Sequence, residues 1–149
     1  MPDKTISRNK KASFEYELFD RFIAGIVLTG SEIKSIRAGK LSFSDSFCIF
    51  IEDELYIKNL HISEYSHGGY ANHEPKRDRK LLLTRTELRR LSKKVREKGF
   101  TIVPLACILT EKGYAKIEIA VARGKKHFDK RETLKKNDHQ KDINRARKY

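Results

Sequence analysis

The sequence predicts a mainly β domain, a small closed barrel interrupted by helices and followed by a basic tail, and three observations predict it. Apolar residues alternate with polar ones over about six short stretches, the period of a half-buried strand. Two Thr-x-x-Glu sequences, at Thr29 and Thr84, each stand in front of a helical apolar spacing. From Arg123 to Tyr149 the chain carries eleven Lys and Arg against four Asp and Glu, with only Leu134 and Ile143 as large aliphatic residues. Those two side chains bury at most about 6 kcal/mol of apolar stabilisation. Ordering the segment costs roughly 1–2 kcal/mol of backbone entropy per residue, so it is expected to be disordered alone and to order on a polyanion.

Residues 1–11 are polar and basic and read as a flexible arm. Ala12 to Leu18 and Phe22 to Leu28 read as strands around a turn at Phe19-Asp20-Arg21. Thr29 to Glu32 reads as a capping box that opens a helix from Ser31 to Arg37, ended by Gly39 as a left-handed cap. Asp45 to Ile51 and Glu54 to Asn59 form a strand pair in which Phe47, Ile49 and Ile51 share one face. His61 to Pro75 reads as a long loop, and Lys76 to Lys80 as a tight basic cluster. Thr84 to Glu87 caps a second helix reaching about Lys98, with Leu88, Leu91 and Val95 toward the core and Gly99 at its end. Thr101 to Leu109 and Tyr114 to Ala122 form the last strand pair, Pro104 marking an edge or bulge. Six short strands with two to three helices fit a barrel of oligonucleotide-binding type. The division expected is an arm at 1–11, a barrel at 12–123 and a basic tail at 124–149.

Charge sets the partner class. A net charge of +13, concentrated toward one end, calls for an anionic partner, nucleic acid before membrane, because the tail lacks the Trp, Leu and Phe face of an interfacial helix. Cys48 and Cys107 lie among strand-type residues without Cys-x-x-Cys spacing and read as buried thiols of a reducing cytoplasm. No apolar run approaches membrane-spanning length, so a soluble cytoplasmic protein is expected. The sequence has no phosphate-binding Gly-x4-Gly-Lys, and His61, His67 and His73 at six-residue intervals match no standard metal spacing. No Ser or Cys sits in a nucleophile setting, so neither a catalyst nor a cofactor nor a metal is expected.

Three basic groups stand out as an RNA face: Lys34 and Arg37 on the first helix, Lys76 to Lys80, and Arg123 to Lys126. Tyr65, His67, Tyr70 and His73 are placed to stack on unpaired bases. Glu32 has three readings: a helix cap, an anchor for a neighbouring basic residue, or an acceptor for a guanine edge.

The segments A-G-I-V-L-T-G-S-E-I-K-S-I-R-A-G-K (Ala24 to Lys40), N-H-E-P-K-R-D-R-K-L-L-L (Asn72 to Leu83) and G-K-K-H-F-D-K-R-E (Gly124 to Glu132) resemble the bacterial SsrA-binding protein family, small protein B. The resemblance runs from about Asn9 to Arg147 with the family's order and spacing. It implies a monomeric, non-catalytic adaptor. Its barrel grips the tRNA-like domain of transfer-messenger RNA and brings it to ribosomes stalled on messages without a stop codon. Glu32, Lys34 and Arg37 match the family's E-[IV]-K-S-[IL]-R signature at the RNA face. Asn72, His73, Arg77, Arg79 and Lys80 match the segment near the tRNA-like elbow, and Lys125 and Lys126 the barrel exit. Asp129, Lys130 and Arg131 match the start of a tail that lies in the small-subunit decoding centre and the empty message channel, against rRNA, as a helix. Phe128, Lys135, Lys136, Lys141, Arg145 and Lys148 complete that tail; Phe128 stands where the family has Tyr or His. The rival expectation is a structural ribosomal protein with a basic rRNA-binding tail.

Overall fold

The computed structural model describes residues 3–65, 72–97 and 99–125. Among them it places strands β1 (Lys4–Arg8), β2 (Tyr16–Ile26), β3 (Leu41–Ser42), β4 (Phe47–Ile51), β5 (Glu54–Lys58), β6 (His61–Ile62), β7 (Arg79–Leu82), β8 (Phe100–Leu109) and β9 (Ala115–Gly124). The helices are α1 (Ala12–Glu15), α2 (Gly30–Arg37) and α3 (Arg85–Val95). The fold is mainly β with three helices. In the larger sheet the order is β1-β8-β4-β5-β7-β2-β9, and β8 also pairs with β9, so six strands close into a ring. β3 and β6 form a separate two-stranded ladder.

β8 makes the closure possible by serving three neighbours. It pairs with β9 along one edge, while on the other it pairs with β4 at Ile102 and with β1 from Ala106 to Leu109. Pro104 sits at the handover, where the register shifts by one residue. A proline has no N–H to give a ladder, and a bulge is where a sheet tolerates it. Asn9 fills the gap, its side-chain amide donating to the Pro104 carbonyl at 2.8 Å and its backbone N–H to that of Leu105 at 2.7 Å.

Three expectations near the N-terminus are corrected. The arm is not free, because Lys4–Arg8 is a strand paired with β8. Ala12 to Glu15 is a single helical turn rather than strand, since Ala12 seals a small apolar cluster with Val103, Leu105, Ala120 and Ala122 on the outside of the β8–β9 pair. The expected turn at Phe19-Asp20-Arg21 is a bulge within one 11-residue strand. A bulge and a turn both break alternation by one residue, which is why periodicity does not separate them.

Inside the ring, Ile36, Leu55, Ile57, Leu60, Ile62, Leu81, Leu91, Ile102, Ile117 and Ile119 are fully buried or nearly so. Cys48 and Cys107 are free thiols in this core, and burial pushes Cys107 up to about 12 and Cys48 higher still. Phe47, Ile49 and Ile51 do share a face, but it is the outer one, and they remain 37%, 41% and 39% exposed. α2 and α3 stand at opposite ends of the ring. Arg37 of α2 donates to the Gly113 carbonyl in the β8–β9 turn at 2.9 Å, whereas Arg90 and Lys94 of α3 lie over Phe22 and Phe100. Among the described residues no helix is long and apolar enough to cross a membrane.

Candidate nucleic-acid interface

α2 is built from its N-terminus. Thr29 and Glu32 form the expected capping box: the Thr29 N–H donates to Glu32 Oε1 at 2.7 Å, and the Glu32 N–H to Thr29 Oγ1 at 3.4 Å. Gly39 follows with φ 75°, the left-handed cap that glycine adopts without a Cβ penalty. The Glu32 carboxylate continues inward. Arg77 Nη2 donates to its Oε1 at 2.8 Å and Arg77 Nε to its Oε2 at 3.2 Å, while Arg79 Nε donates to Oε2 from below. Arg79 spends its other donors on the carbonyls of Leu60 at 2.7 Å and Pro75 at 3.1 Å.

This triad corrects two of the expected RNA contacts. Glu32 has no exposed surface, so it caps the helix and anchors two arginines but cannot reach a guanine edge. Arg79 is likewise 0% exposed and cannot meet a phosphate. Only Arg77 of the pair reaches solvent, with 37% of its side chain exposed. Burial pushes the Glu32 carboxyl up, but hydrogen bonds from Arg77 and the Thr29 amide, together with the charge and hydrogen bond of Arg79, outweigh it. The net effect takes it from an ordinary 4.5 down to about 2. A carboxylate depressed on folding stabilises fully above its unfolded value and loses that contribution as pH falls toward the folded one. The stability should therefore be flat above about pH 5 and fall by about 3 kcal/mol toward pH 2 on account of this group. Urea denaturation of wild type and Glu32→Gln across that range checks it, since the variant should lack this component of the slope.

His73 is also buried, at 8% exposure. Its Nε2–H donates to the Ile62 carbonyl at 2.8 Å, which leaves Nδ1 to accept the Ser31 hydroxyl at 2.8 Å. The imidazole thus ties the segment before β7 to the first turn of α2 and is not offered to a base. Asn72 works in the same way, accepting the Tyr65 N–H at 3.0 Å and donating to the Tyr65 carbonyl at 2.6 Å. It pins the two ends of the loop together. Lys34 lies 5.5 Å from the centroid of the Tyr65 ring. His67 and Tyr70 lie outside the described residues.

Two of the three basic groups meet. Lys34, Arg37 and Lys76 are exposed, and Arg77 joins them through its hold on Glu32 beneath α2. Lys80 faces outward and pairs with Glu54 at 3.5 Å. The third group is elsewhere. Arg123 lies over Phe19 and Phe100 and pairs with Glu17 at 2.9 Å. That is the α3 end, ten residues of strand and about 30 Å from the β8–β9 turn that Arg37 touches. The Lys125 N–H donates to the Glu15 carbonyl at the same end. Lys126, Phe128, Asp129, Lys130, Arg131, Lys135, Lys136, Lys141, Arg145 and Lys148 lie outside the described residues.

The sequence reading missed an apolar patch beside the basic rim. Ile23 of β2, Val27 just after it and Leu82 of β7 are 47%, 43% and 50% exposed on the outer face. Register puts Leu82, Gly25 and Lys116 side by side on this face. Gly25 keeps it flat, because a Cβ there would stand 3.3 Å from Cβ of Leu82. Arg77 Nη2 also donates to the Val27 carbonyl at 3.2 Å, which joins patch and rim. A contiguous exposed apolar patch rimmed by charge marks an interaction surface. The available signal was that β2 carries large apolar residues on both faces.

Comparison with known proteins gives the family. The family model for SmpB protein matches residues 6–149. An SsrA-binding protein of Parabacteroides distasonis is 55% identical over 139 residues, covering 93% of this chain and 91% of the relative. One of Flavobacterium psychrophilum is 55% identical over 140 residues, covering 94% and 93%. A solved structure described as "tmRNA-SmpB: a journey to the center of the bacterial ribosome" superposes with a TM-score of 0.69 at 50% identity, covering 81% of this chain and 85% of that one. The chain belongs to the SmpB family of SsrA-binding proteins.

Proposed function

We propose that this chain binds the tRNA-like domain of transfer-messenger RNA and delivers it to stalled ribosomes for trans-translation, as a cytoplasmic adaptor and not an enzyme. The observation that carries the reading is 50% identity, over four-fifths of the chain, to the protein of a tmRNA–SmpB ribosome structure. The closed ring is the oligonucleotide-binding-type barrel in this reading. Lys34, Arg37, Lys76 and Arg77 take phosphates, and Ile23, Val27 and Leu82 lie against ribose and base edges. Glu32, Asn72, His73 and Arg79 hold these groups in place without touching RNA. The segment after Lys125 occupies the decoding centre and the vacant message channel. The structural ribosomal protein is the less favoured alternative, because the relatives compared above are SsrA-binding proteins.

Sequencing the RNA that co-purifies with the protein tests partner and class together. One dominant tRNA-like species is expected, whereas a spread of rRNA fragments would support the ribosomal alternative. On the isolated tRNA-like domain, the double variant Lys34→Ala/Arg37→Ala should bind more weakly. Its plot of log affinity against log salt should be less steep by about 2, one for each phosphate no longer neutralised. An unchanged slope would remove α2 from the interface.

A further inference from the structure

Next to the proposed interface, and sharing Leu82 with it, lies a cleft of about 540 Å³ between α3 and the β4–β5 hairpin. Its two walls carry opposite charge. On one side stand Arg85 and Arg89 of α3 and Arg96 at its C-cap, whose spacing puts them on one face over about 16 Å. All three are exposed, and none makes an ion pair among the described residues. On the other side stand Asp53 and Glu54. Glu54 is held by Lys80, but Asp53, in a left-handed turn at φ 68°, has no partner among the described residues. Leu82 lies in the floor and joins the cleft to the apolar patch.

From this zoning we infer that the cleft takes one unpaired guanosine nucleotide of the bound RNA, with phosphates along the α3 arginines and the base edge on Asp53. The inference rests on the RNA-binding reading and adds a base identity to it. A cationic row suits a phosphodiester strand, and an apolar floor suits the face of an unstacked base. The lone carboxylate then selects the base. Guanine presents two adjacent donors, N1–H and N2–H, matching the two acceptor oxygens of Asp53. Adenine and cytosine offer one amino group beside a ring nitrogen lone pair, and uracil one N–H between two carbonyls; in each case an acceptor faces the carboxylate. An acidic peptide fits the arginines but would bring like charge against Asp53 and Glu54.

The test uses the full-length protein and fluorescein-labelled single-stranded uridine hexamers with one central base varied. The central guanine should bind roughly tenfold tighter than uracil. Asp53→Asn, a substitution its left-handed backbone accommodates, should erase that preference and leave the all-uridine affinity intact. Arg85→Ala/Arg89→Ala should weaken all four hexamers and reduce the salt slope by about 1.4. Equal binding of the four hexamers, or a guanine preference that survives Asp53→Asn, overturns the assignment. So does guanosine monophosphate or a glutamate-rich peptide that displaces the guanine hexamer at the hexamer's own affinity. The tRNA-like domain is titrated in parallel. If it binds while the guanine preference is missing, the cleft assignment alone falls. If it does not bind, the adaptor reading falls first.

Discussion

Glu32→Ala should cost about 3–5 kcal/mol of folding stability, the penalty for stranding a buried charge. The loss is large because one carboxylate serves two arginines and a helix cap. Without it the Arg79 guanidinium stays fully enclosed, with backbone carbonyls as its only partners among the described residues. For a globule of this size each kcal/mol moves the melting temperature by about 4 °C, so a drop of roughly 12–20 °C is expected. Arg79→Met alone should also be costly, since it takes the donor from the Leu60 carbonyl and leaves Glu32 with Arg77 as its one arginine partner, whereas the Pro75 carbonyl keeps the Ile62 N–H at 2.9 Å. The two losses should be strongly non-additive, as residues of one network are. Thermal and urea unfolding of both single variants and the double variant measure this. Additive losses, or a Glu32→Ala penalty below about 1 kcal/mol, would show that the triad is not what holds α2 on the ring.

Deleting Asp129 to Tyr149 should leave affinity for the isolated tRNA-like domain near normal and abolish peptide tagging. The deleted residues carry four of the thirteen net positive charges. Measured at moderate salt, where diffuse attraction is screened, their loss should matter little to a docked RNA. On the ribosome the same residues would span about 30 Å as a helix, or roughly 70 Å extended. In that proposed helix the i, i+4 and i+7 spacing of Lys141, Arg145 and Lys148 would give one phosphate-facing stripe. In the proposed function a message filling the channel would exclude that stripe by volume and charge, so the deletion would remove the means of telling empty ribosomes from occupied ones. Translation of a message lacking a stop codon, with incorporation of the tag as readout, checks the second half. Lost binding of the isolated RNA would defeat the division of labour.

Local chemistry was readable in the sequence and long-range placement was not. Both capping boxes stand where their Thr-x-x-Glu spacing put them, because four residues suffice to close those bonds. Pro104 marks a bulge for an equally local reason. What alternation could not tell was direction: Phe47, Ile49 and Ile51 share a face, but only the ring determines that Cys48 points into the core and they point out. The site shows the same limit. Arg77 and Arg79 are alike in K-R-D-R-K, yet one reaches solvent and the other is sealed beneath α2, since β7 starts at Arg79 and turns its first side chain inward. Arg123 resembles a member of the α2 cluster until β9 carries it to the far end of the ring.

Closure of the ring also determines when the protein can fold. Tyr16 lies opposite Gly124, and Lys4 opposite Leu109, so partners from the two ends of the globule must find each other across about a hundred intervening residues. Such distant pairings belong to chains that fold in milliseconds to seconds rather than microseconds. Until β9 arrives, β2 and β8 each present a bare edge above an uncovered core, a state prone to aggregation. A copy of this protein whose own synthesis halted before Ala115 would therefore remain unfolded, and would itself be the kind of product that tagging removes.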